Sequence, residues 1–221
     1  MMRLESLAVA ARPARALVSF GLLGVGLFGA PALAGTAEVI DAVEAKYADV
    51  DTLSAQFTQT TKSELYGAEA QSGTMTLMRP AKMRWTFDGD GKEFVTDGST
   101  MWIYSPGDNQ VLKYSDVSQS AGAADSLLQS LDRISEMFDI ELLEETDTSK
   151  QLKLMPKGDQ AQVKAITLTL DGDYLVQNVT IIDAFDTSTA LSFEKVQLDA
   201  KVPDGLFTFD IPKGTEVISA N

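Results

Sequence analysis

Alternation of apolar and polar residues with a period of two runs through most of this chain and constrains its fold more than any other feature. In the segment KMRWTF, Met83, Trp85 and Phe87 alternate with polar neighbours, and Leu53 and Phe57 follow the same rule further upstream. Such alternation places every second side chain on one face of a strand. Short Asp-Gly turn sequences separate these strands, which predicts antiparallel pairing because parallel strands need long crossovers.

Strand patterns continue to the C-terminal end of the chain after a short helical interlude. The later candidate strands are DIELLEE, QLKLMP, VKAITLTL, YLVQNVTII, ALSFEKVQL and LFTFDI. About ten antiparallel strands in one sheet are expected to curl or to close on themselves. We therefore expect an α+β fold that is mainly antiparallel β, with the few helices covering the concave face of a curved sheet.

Two segments show helical rather than strand periodicity. In the first, Thr36 can cap the N-terminus of a helix that carries Ile40, Val43, Tyr47 and Val50 on one face. In the second, four aliphatic residues recur at helical spacing behind Asp125; they are Leu127, Leu128, Leu131 and Ile134. Both segments have the apolar stripe that a helix buries against a sheet.

The N-terminal residues have the organisation of a cleavable secretory signal. Arg3, Arg12 and Arg15 precede an uncharged apolar run, Ala16–Ala30, and Ala34 completes a small-x-small cleavage pattern. The run is short for a bilayer-spanning helix, which needs about 20 apolar residues, although an uncleaved anchor is the alternative. We predict a signal peptide over residues 1–34 and one exported domain over residues 35–221.

Composition excludes several classes of function. The 221 residues include no cysteine and no histidine, so disulfides, thiolate chemistry, a Ser-His-Asp triad and imidazole metal ligands are all absent. The formal net charge of −14 argues against nucleic-acid binding, which needs a basic surface. We expect no cofactor, no metal and no nucleic-acid partner, and we expect the acidic surface to keep the protein monomeric.

None of the candidate catalytic or metal-binding motifs is complete. Asp88 and Asp90 suggest a calcium loop, but Glu93 stands where that loop needs glycine and Ser99 stands at its final ligand position. The chain has neither a glycine-rich phosphate loop nor a nucleophile elbow. Paired carboxylates for glycoside hydrolysis stay open as a possibility because acidic residues are abundant, but no pair is singled out. We expect the protein not to be an enzyme.

Arg79 does not fit the pattern around it. In the alternation it shares the apolar face of a strand with Met75 and Leu77, where a charge is costly unless it is paired or hydrogen-bonded. The residue pattern leaves two possibilities. The side chain either reaches outward beside Pro80, or it points inward for a functional reason.

Four ordered blocks resemble the LolA family of periplasmic lipoprotein carriers. They are LSAQFTQ (residues 53–59), GTMTLMRPAKMRWTF (73–87), FVTDGSTMWIYSP (94–106) and LFTFDIPKGTEVI (206–218). The resemblance extends in order over essentially the whole exported chain. It implies an incomplete antiparallel barrel, or half-barrel, whose concave face encloses a hydrophobic cavity under a helical lid.

The resemblance also implies roles for individual residues. Arg79 matches the family's lid-latching arginine, which favours the inward orientation, and Met83 replaces a residue that is usually aromatic in the family. The predicted lid comprises Leu127, Leu128, Leu131 and Ile134. The predicted lipid-binding cavity comprises Tyr47, Leu53, Phe57, Met75, Leu77, Met83, Trp85, Phe87 and Phe94.

The implied task is transport of acylated lipoproteins across the periplasm. The resemblance implies loading by an inner-membrane, ATP-driven release complex and delivery to an outer-membrane acceptor or to the outer membrane itself. A lipid- or lipoprotein-sensing module of the same half-barrel class is the main alternative. The lipidated acceptor of the pathway is disfavoured because the chain has no cysteine to acylate, and a periplasmic hydrolase ranks third.

Overall fold

The computed structural model describes residues 31–64, 67–116, 122–158 and 163–220. The helices are α1 (Pro31–Tyr47), α2 (Ala123–Gln129) and α3 (Ile134–Met137), with 3-10 turns at Pro106–Asp108 and Leu131–Arg133. Residues 1–30 of the predicted signal segment lie outside the described residues. Residues 31–34, where we predict cleavage, begin α1, so the signal peptide and the domain boundary stay predictions.

The described residues also include twelve strands. They are β1 (Thr52–Ser63), β2 (Gly67–Met78), β3 (Lys82–Phe87), β4 (Glu93–Asp97), β5 (Met101–Ser105), β6 (Gln110–Tyr114), β7 (Phe138–Glu145), β8 (Ser149–Pro156), β9 (Val163–Asp171), β10 (Val176–Asp183), β11 (Ser188–Leu198) and β12 (Glu216–Ala220).

All twelve strands belong to one open, curved sheet. Their order is β12-β6-β5-β4-β3-β2-β1-β11-β10-β9-β8-β7. Every neighbouring pair is antiparallel except β12 and β6, which run parallel. The prediction of a mainly antiparallel, incompletely closed sheet is confirmed. β1 lies at the centre of this order and pairs with β2 on one side and β11 on the other.

The predicted alternation decides which side chains enter the core. In β3 the buried residues are Met83, Trp85 and Phe87, and their neighbours are only half-buried. Leu53 and Phe57 are buried on β1 in the same way. One continuous apolar cluster therefore lines the concave face of the sheet and receives the helices.

Helix α1 packs on this cluster through a narrow stripe. Val39, Val43 and Tyr47, spaced four residues apart, are each at most 1 % exposed, as expected for one face of a helix. The predicted N-cap at Thr36 is wrong for the chain described here, because α1 begins at Pro31. Val50 lies beyond the last helical residue but is still buried.

The second helical segment is broken into three short pieces. Helix α2 is seven residues long, and a 3-10 turn and the four-residue helix α3 follow it. The four predicted lid residues are nevertheless at most 3 % exposed; they are Leu127, Leu128, Leu131 and Ile134. We use the term lid for residues 122–137, since this segment covers the apolar cluster.

The prediction of a strand at LFTFDI is wrong. This segment has no ladder partner and crosses the outer face of the sheet, where Phe209 packs against Trp102 and Tyr104 with ring centroids 6.2 and 5.8 Å apart. Arg84 fixes the segment by donating a hydrogen bond to the Leu206 carbonyl at 3.0 Å. The last strand instead forms further along the chain as β12.

Candidate functional site

The nine predicted cavity residues all belong to the concave apolar cluster. Eight of them are buried, and Phe94 is partly buried against the cluster. Adjacent β-strands bring these side chains together because register places Phe57 beside Gly73 and Trp85 beside both Met75 and Phe94. This packing gives the site its walls, but most of the space between the walls is filled.

Two cavities remain under the lid. The first, which we call the Met83 cavity, has a volume of about 390 Å³ and is lined among others by Arg79, Met83, Met101, Asp125, Gln129 and Met137. The second, the Phe94 cavity, has a volume of about 310 Å³ and is lined among others by Trp85, Phe87, Phe94, Ala124, Asp125 and Leu191. Four of the nine predicted residues thus face open space.

The other five predicted residues line neither cavity. Leu53 and Leu77 border only a gap of about 10 Å³ beside the lid residue Leu128. Tyr47, Phe57 and Met75 are packed inside the apolar cluster and are at most 2 % exposed. Much of the concave face is therefore filled in this structure, because the lid packs against it.

An aromatic cluster connects the filled core to the Phe94 cavity. Phe57 meets Trp85 edge-on at 4.7 Å and Phe87 at 5.1 Å, and Phe87 lies 5.3 Å from Phe94 between ring centroids. Edge-to-face pairs of this kind contribute about 0.5–1.5 kcal/mol each beyond their area of burial. They give this part of the cavity wall a defined shape.

Arg79 points inward and joins three parts of the structure. Its Nη1 donates to the Tyr47 carbonyl at 2.8 Å, and its Nη2 lies 3.1 Å from Asp132 Oδ1 in the lid. Its backbone N–H donates to the Asp51 carbonyl at 2.9 Å. Because Tyr47 is the last residue of α1, the guanidinium also lies at the helix end that favours positive charge.

Asp132, the lid residue that pairs with Arg79, depends on this pair for compensation of its charge. Asp132 Oδ1 is buried and has no hydrogen bond of good geometry among the described residues. The Asp132 side chain as a whole is 22 % exposed, as is that of Arg79. A carboxylate oxygen in this position is stabilised by the neighbouring positive charge, so loss of Arg79 leaves it uncompensated.

Further polar contacts hold the lid, and the sequence pattern gave no sign of the following two. Gln129 Nε2 donates to the Lys82 carbonyl on β3 at 3.2 Å. Ser135 N–H donates to Glu44 Oε1 on α1 at 2.8 Å. These contacts join residues more than 45 positions apart, which periodicity does not report.

Asp125 is a carboxylate that accepts two hydrogen bonds in a largely apolar part of the site. Its Oδ1 accepts a hydrogen bond from Trp85 Nε1 at 3.1 Å, and its Oδ2 accepts one from Gly122 N–H at 3.2 Å. Burial raises the pKa of this carboxyl to about 6, although both hydrogen bonds act in the opposite direction. Its position near the start of the second helical segment was predicted, but its contact with Trp85 was not.

Tyr47 connects α1 to the opposite half of the sheet. Its hydroxyl accepts a hydrogen bond from the Val176 N–H at 3.0 Å. Burial raises the pKa of this phenol to about 12, with a smaller contribution from the charge of Asp171. The end of α1 is therefore fixed by Arg79 on one side and by β10 on the other.

Within the described ranges, no group of three or more acidic side chains is arranged to hold a metal ion. No helix in the same part of the chain has both the length and the hydropathy needed to cross a membrane.

Comparison with known families identifies the architecture. The family model described as "Outer membrane lipoprotein carrier protein LolA" matches residues 48–210. The chain belongs to the LolA family. The matched region runs from the end of α1 through the lid to the segment that crosses the outer face, so it contains Arg79 and both cavities.

Two relatives described as outer-membrane lipoprotein carrier proteins agree with this assignment. The outer-membrane lipoprotein carrier protein of Hahella chejuensis is 30 % identical over 203 residues, covering 89 % of this chain and 96 % of that protein. The protein of the same description from Methylibium petroleiphilum is 28 % identical, covering 84 % and 92 %. Among solved structures, a LolA superfamily protein from Nitrosomonas europaea has a TM-score of 0.44 at 11 % identity, covering 79 % and 97 %.

Proposed function

We propose that this protein is a periplasmic carrier that shelters the acyl chains of lipoproteins between the inner and the outer membrane. The observation that carries the proposal is the closed lid over an apolar concave face, in a chain that belongs to the LolA family. Two relatives described as outer-membrane lipoprotein carrier proteins match this chain over nearly the whole of their own length. No catalytic step is part of the proposal.

The physical need for such a carrier follows from the cost of moving acyl chains through water. Each buried methylene is worth about 0.8 kcal/mol, so the chains of one lipoprotein resist leaving a bilayer by tens of kcal/mol. A carrier has to offer comparable apolar shelter without exposing a large apolar patch when it is empty. A lid that is buried in the empty state and opens for cargo meets both requirements.

Arg79 is suited to control that lid. It contacts Asp132 in the lid and the Tyr47 carbonyl at the end of α1, so its contacts favour the closed arrangement. Cargo that enters must separate the lid from the sheet and break the pair with Asp132. The energy of this pair then returns when cargo leaves, which helps delivery.

The proposed partners follow from the same chemistry. Loading requires energy to extract acyl chains, and we assign that step to an inner-membrane, ATP-driven release complex. Delivery is assigned to an outer-membrane acceptor or to the outer membrane itself. The affinity of the carrier for acyl chains then lies between that of the release complex and that of the acceptor or the outer membrane.

The direct test is release of an acylated lipoprotein from spheroplasts that contain the cognate release complex. We expect addition of the protein to produce a soluble one-to-one complex with the lipoprotein. The matched control is the same lipoprotein with its acylated cysteine replaced, which should form no complex.

Retention of the acylated cargo in the membrane fraction, with folded protein present, would contradict the carrier function. Soluble complex formation without later transfer to outer-membrane vesicles would favour a sensing module instead. Fast transfer of the cargo to those vesicles is the result that supports a carrier.

A further inference from the structure

Phe185 is the most exposed large apolar side chain in the described part of the chain. It lies in the turn between β10 and β11 and is 90 % exposed. The next most exposed side chain of this kind, Leu143 on β7, is 46 % exposed. Single apolar residues are common on protein surfaces, so the meaning of this ring depends on its surroundings.

The turn fixes the position of the ring. Asp183 Oδ1 accepts hydrogen bonds from the N–H groups of Phe185 at 2.8 Å and of Thr187 at 2.9 Å. Asp186 forms an ion pair with Lys164 on β9 at 2.7 Å. Because the backbone on both sides of Phe185 is held, the ring points to solvent in a defined position, which lowers the entropic cost of binding a partner.

The same turn stands at the rim of the Phe94 cavity. Asp183 and Thr189 flank the turn and line that cavity, as does Ile181 on β10. The turn joins two strands of the sheet and is not part of the lid, so the ring stays at the rim when the lid moves. Any surface that approaches this end of the cavity therefore meets Phe185.

The outer face of the sheet beside the turn carries a second apolar side chain and a lysine. Ile181 lines the cavity, so its neighbour Ile182 faces outward. Ile182 and Lys62 on β1 both pair with Ser188 in the register, and residues paired in this way point to the same face of a sheet. Both side chains are exposed. This end of the sheet thus combines apolar groups with a positive charge.

We propose that the turn between β10 and β11 is a lipid-contact site, at which Phe185 inserts among the headgroups of a bilayer and brings the rim of the Phe94 cavity to the membrane surface. The inference rests on the proposed carrier function and specifies which surface of the carrier meets the membrane. The partner is the bilayer itself and not an acceptor protein.

The chemistry of the turn fits a lipid surface. Aromatic rings and lysines are favoured at the boundary between membrane and water, where the ring is sheltered and the ammonium reaches the phosphates. The two acids nearest to the ring are already engaged, since Asp183 accepts two backbone hydrogen bonds and Asp186 is paired with Lys164. The net charge of −14 opposes contact with a strongly anionic surface, so we expect a bilayer rich in zwitterionic lipid.

The strength of such a contact suits a carrier. Burial of one phenylalanine side chain strengthens association by about ten- to a hundredfold. This is too little to hold an empty, acidic protein on a membrane, because stable anchoring takes two strong signals. In the loaded protein, the ring acts together with acyl chains that enter the same bilayer. The contact then positions the cavity for release and does not retain the carrier afterwards.

The test measures transfer of an acylated lipoprotein from the loaded protein to protein-free vesicles of phosphatidylethanolamine and phosphatidylcholine. We expect Phe185→Ala to slow transfer at least about tenfold, because the ring no longer enters the bilayer. Phe185→Trp should retain the rate, since indole is also favoured at the lipid boundary. The matched control is Leu143→Ala, which removes an exposed apolar side chain from β7 and should leave the rate unchanged.

A fluorescent dye locates the contact. The chain has no cysteine, so an environment-sensitive dye can be attached to Ala184→Cys, beside the ring, or to Asp173→Cys, in the turn at the other end of β10. Both positions are exposed. With loaded protein and vesicles that contain brominated lipid, we expect quenching of the dye at position 184 and none at position 173.

Transfer from Phe185→Ala at the rate of the unsubstituted protein would overturn the lipid-contact site, as would equal quenching of the two dyes. An effect of Phe185→Ala that requires outer-membrane proteins in the vesicles would show that the ring binds a protein instead. Absence of transfer from the loaded, unsubstituted protein to protein-free vesicles would also exclude the bilayer as the partner. Failure of the unsubstituted protein to form a soluble complex with the lipoprotein would instead contradict the carrier function itself.

Discussion

Arg79 holds the lid through one contact with a lid side chain and another with the backbone of helix α1. Its guanidinium pairs with Asp132 and also donates to the backbone of α1. Hydrogen bonds that involve a charged group contribute about 1.5–3 kcal/mol each. We therefore predict that Arg79→Leu shifts the lid towards the open arrangement and slows transfer of cargo to the acceptor by at least about tenfold. Transfer of a fluorescent lipoprotein to acceptor-containing vesicles measures this rate.

Variants of the partner residue provide the controls for this prediction. Asp132→Asn keeps the size of the side chain but removes its charge, so it should slow transfer in the same direction by a smaller factor. Glu136→Gln removes an exposed acid from the neighbouring helix and should leave the rate unchanged. Transfer from Arg79→Leu at the rate of the unsubstituted protein would contradict the role of Arg79.

Asp125 makes the stability of the protein depend on pH. Burial raises its pKa from the ordinary value of 3.8 to about 6, so the folded protein binds this proton more tightly than the unfolded chain does. The free energy of unfolding should therefore fall as pH rises through the window from about 4 to about 6, by up to about 3 kcal/mol from this group. Below that window the contribution is fully present, and above it the contribution is lost.

Denaturant unfolding at several pH values checks this expectation. Other carboxyl groups titrate in the same range, so the informative quantity is the difference between the unsubstituted protein and Asp125→Asn, which does not ionise. The difference should change across pH 4–6 and become constant above it. A difference independent of pH would show that Asp125 has an ordinary pKa.

At the scale of secondary-structure elements, the close approach of β2 and β3 depends on a glycine. Gly73 faces Phe87 in the register. A methyl group at this position would collide with the Thr86 carbonyl and approach the Phe57 ring to 2.8 Å. We predict that Gly73→Ala lowers the free energy of unfolding by about 1–3 kcal/mol, measured by denaturant unfolding.

The matched control for Gly73→Ala is Gly107→Ala, in the turn between β5 and β6. A methyl group there would have no heavy atom within 4 Å, and the backbone of Gly107 is not in the left-handed region. This substitution should change stability by less than about 0.5 kcal/mol. Equal effects of the two substitutions would contradict the close approach at Gly73.

Elements with a strict two-residue period could be predicted from sequence, and elements defined by long-range contacts could not. The alternation around Met83, Trp85 and Phe87 gave β3 and its buried face. LFTFDI alternates just as clearly, yet Phe209 packs on the rings of Trp102 and Tyr104 instead of continuing a ladder. Alternation reports which side chains share a face and does not report whether a neighbouring strand has a free edge.

The candidate site divides in the same way. An arginine on an apolar strand face was visible in the sequence, and its inward orientation followed from the family resemblance. Its partner Asp132 lies 53 residues away, and the contact between Trp85 and Asp125 spans 40 residues. Local periodicity carries no information on pairs at such separations, because register and the path of the chain decide them.

At the scale of the whole molecule, an open sheet leaves room for a movable cover. Twelve strands curve around the apolar cluster without closing, and the four apolar residues of the lid are buried in that cluster. The lid is made of short pieces joined by a 3-10 turn. Short helices are marginal on their own, so their position depends on packing and on contacts such as those of Arg79 and Asp125.

In the proposed carrier, cargo moves the lid away from the sheet, and a distance between two spin labels measures this movement. The chain has no cysteine, so cysteines introduced at Glu136 on α3 and at Thr58 on β1, both exposed, are labelled selectively. We predict one short distance for the empty protein, a longer distance with bound lipoprotein, and a share of the longer distance in empty Arg79→Leu. The same distance in the empty and the cargo-loaded protein would contradict movement of the lid on cargo binding.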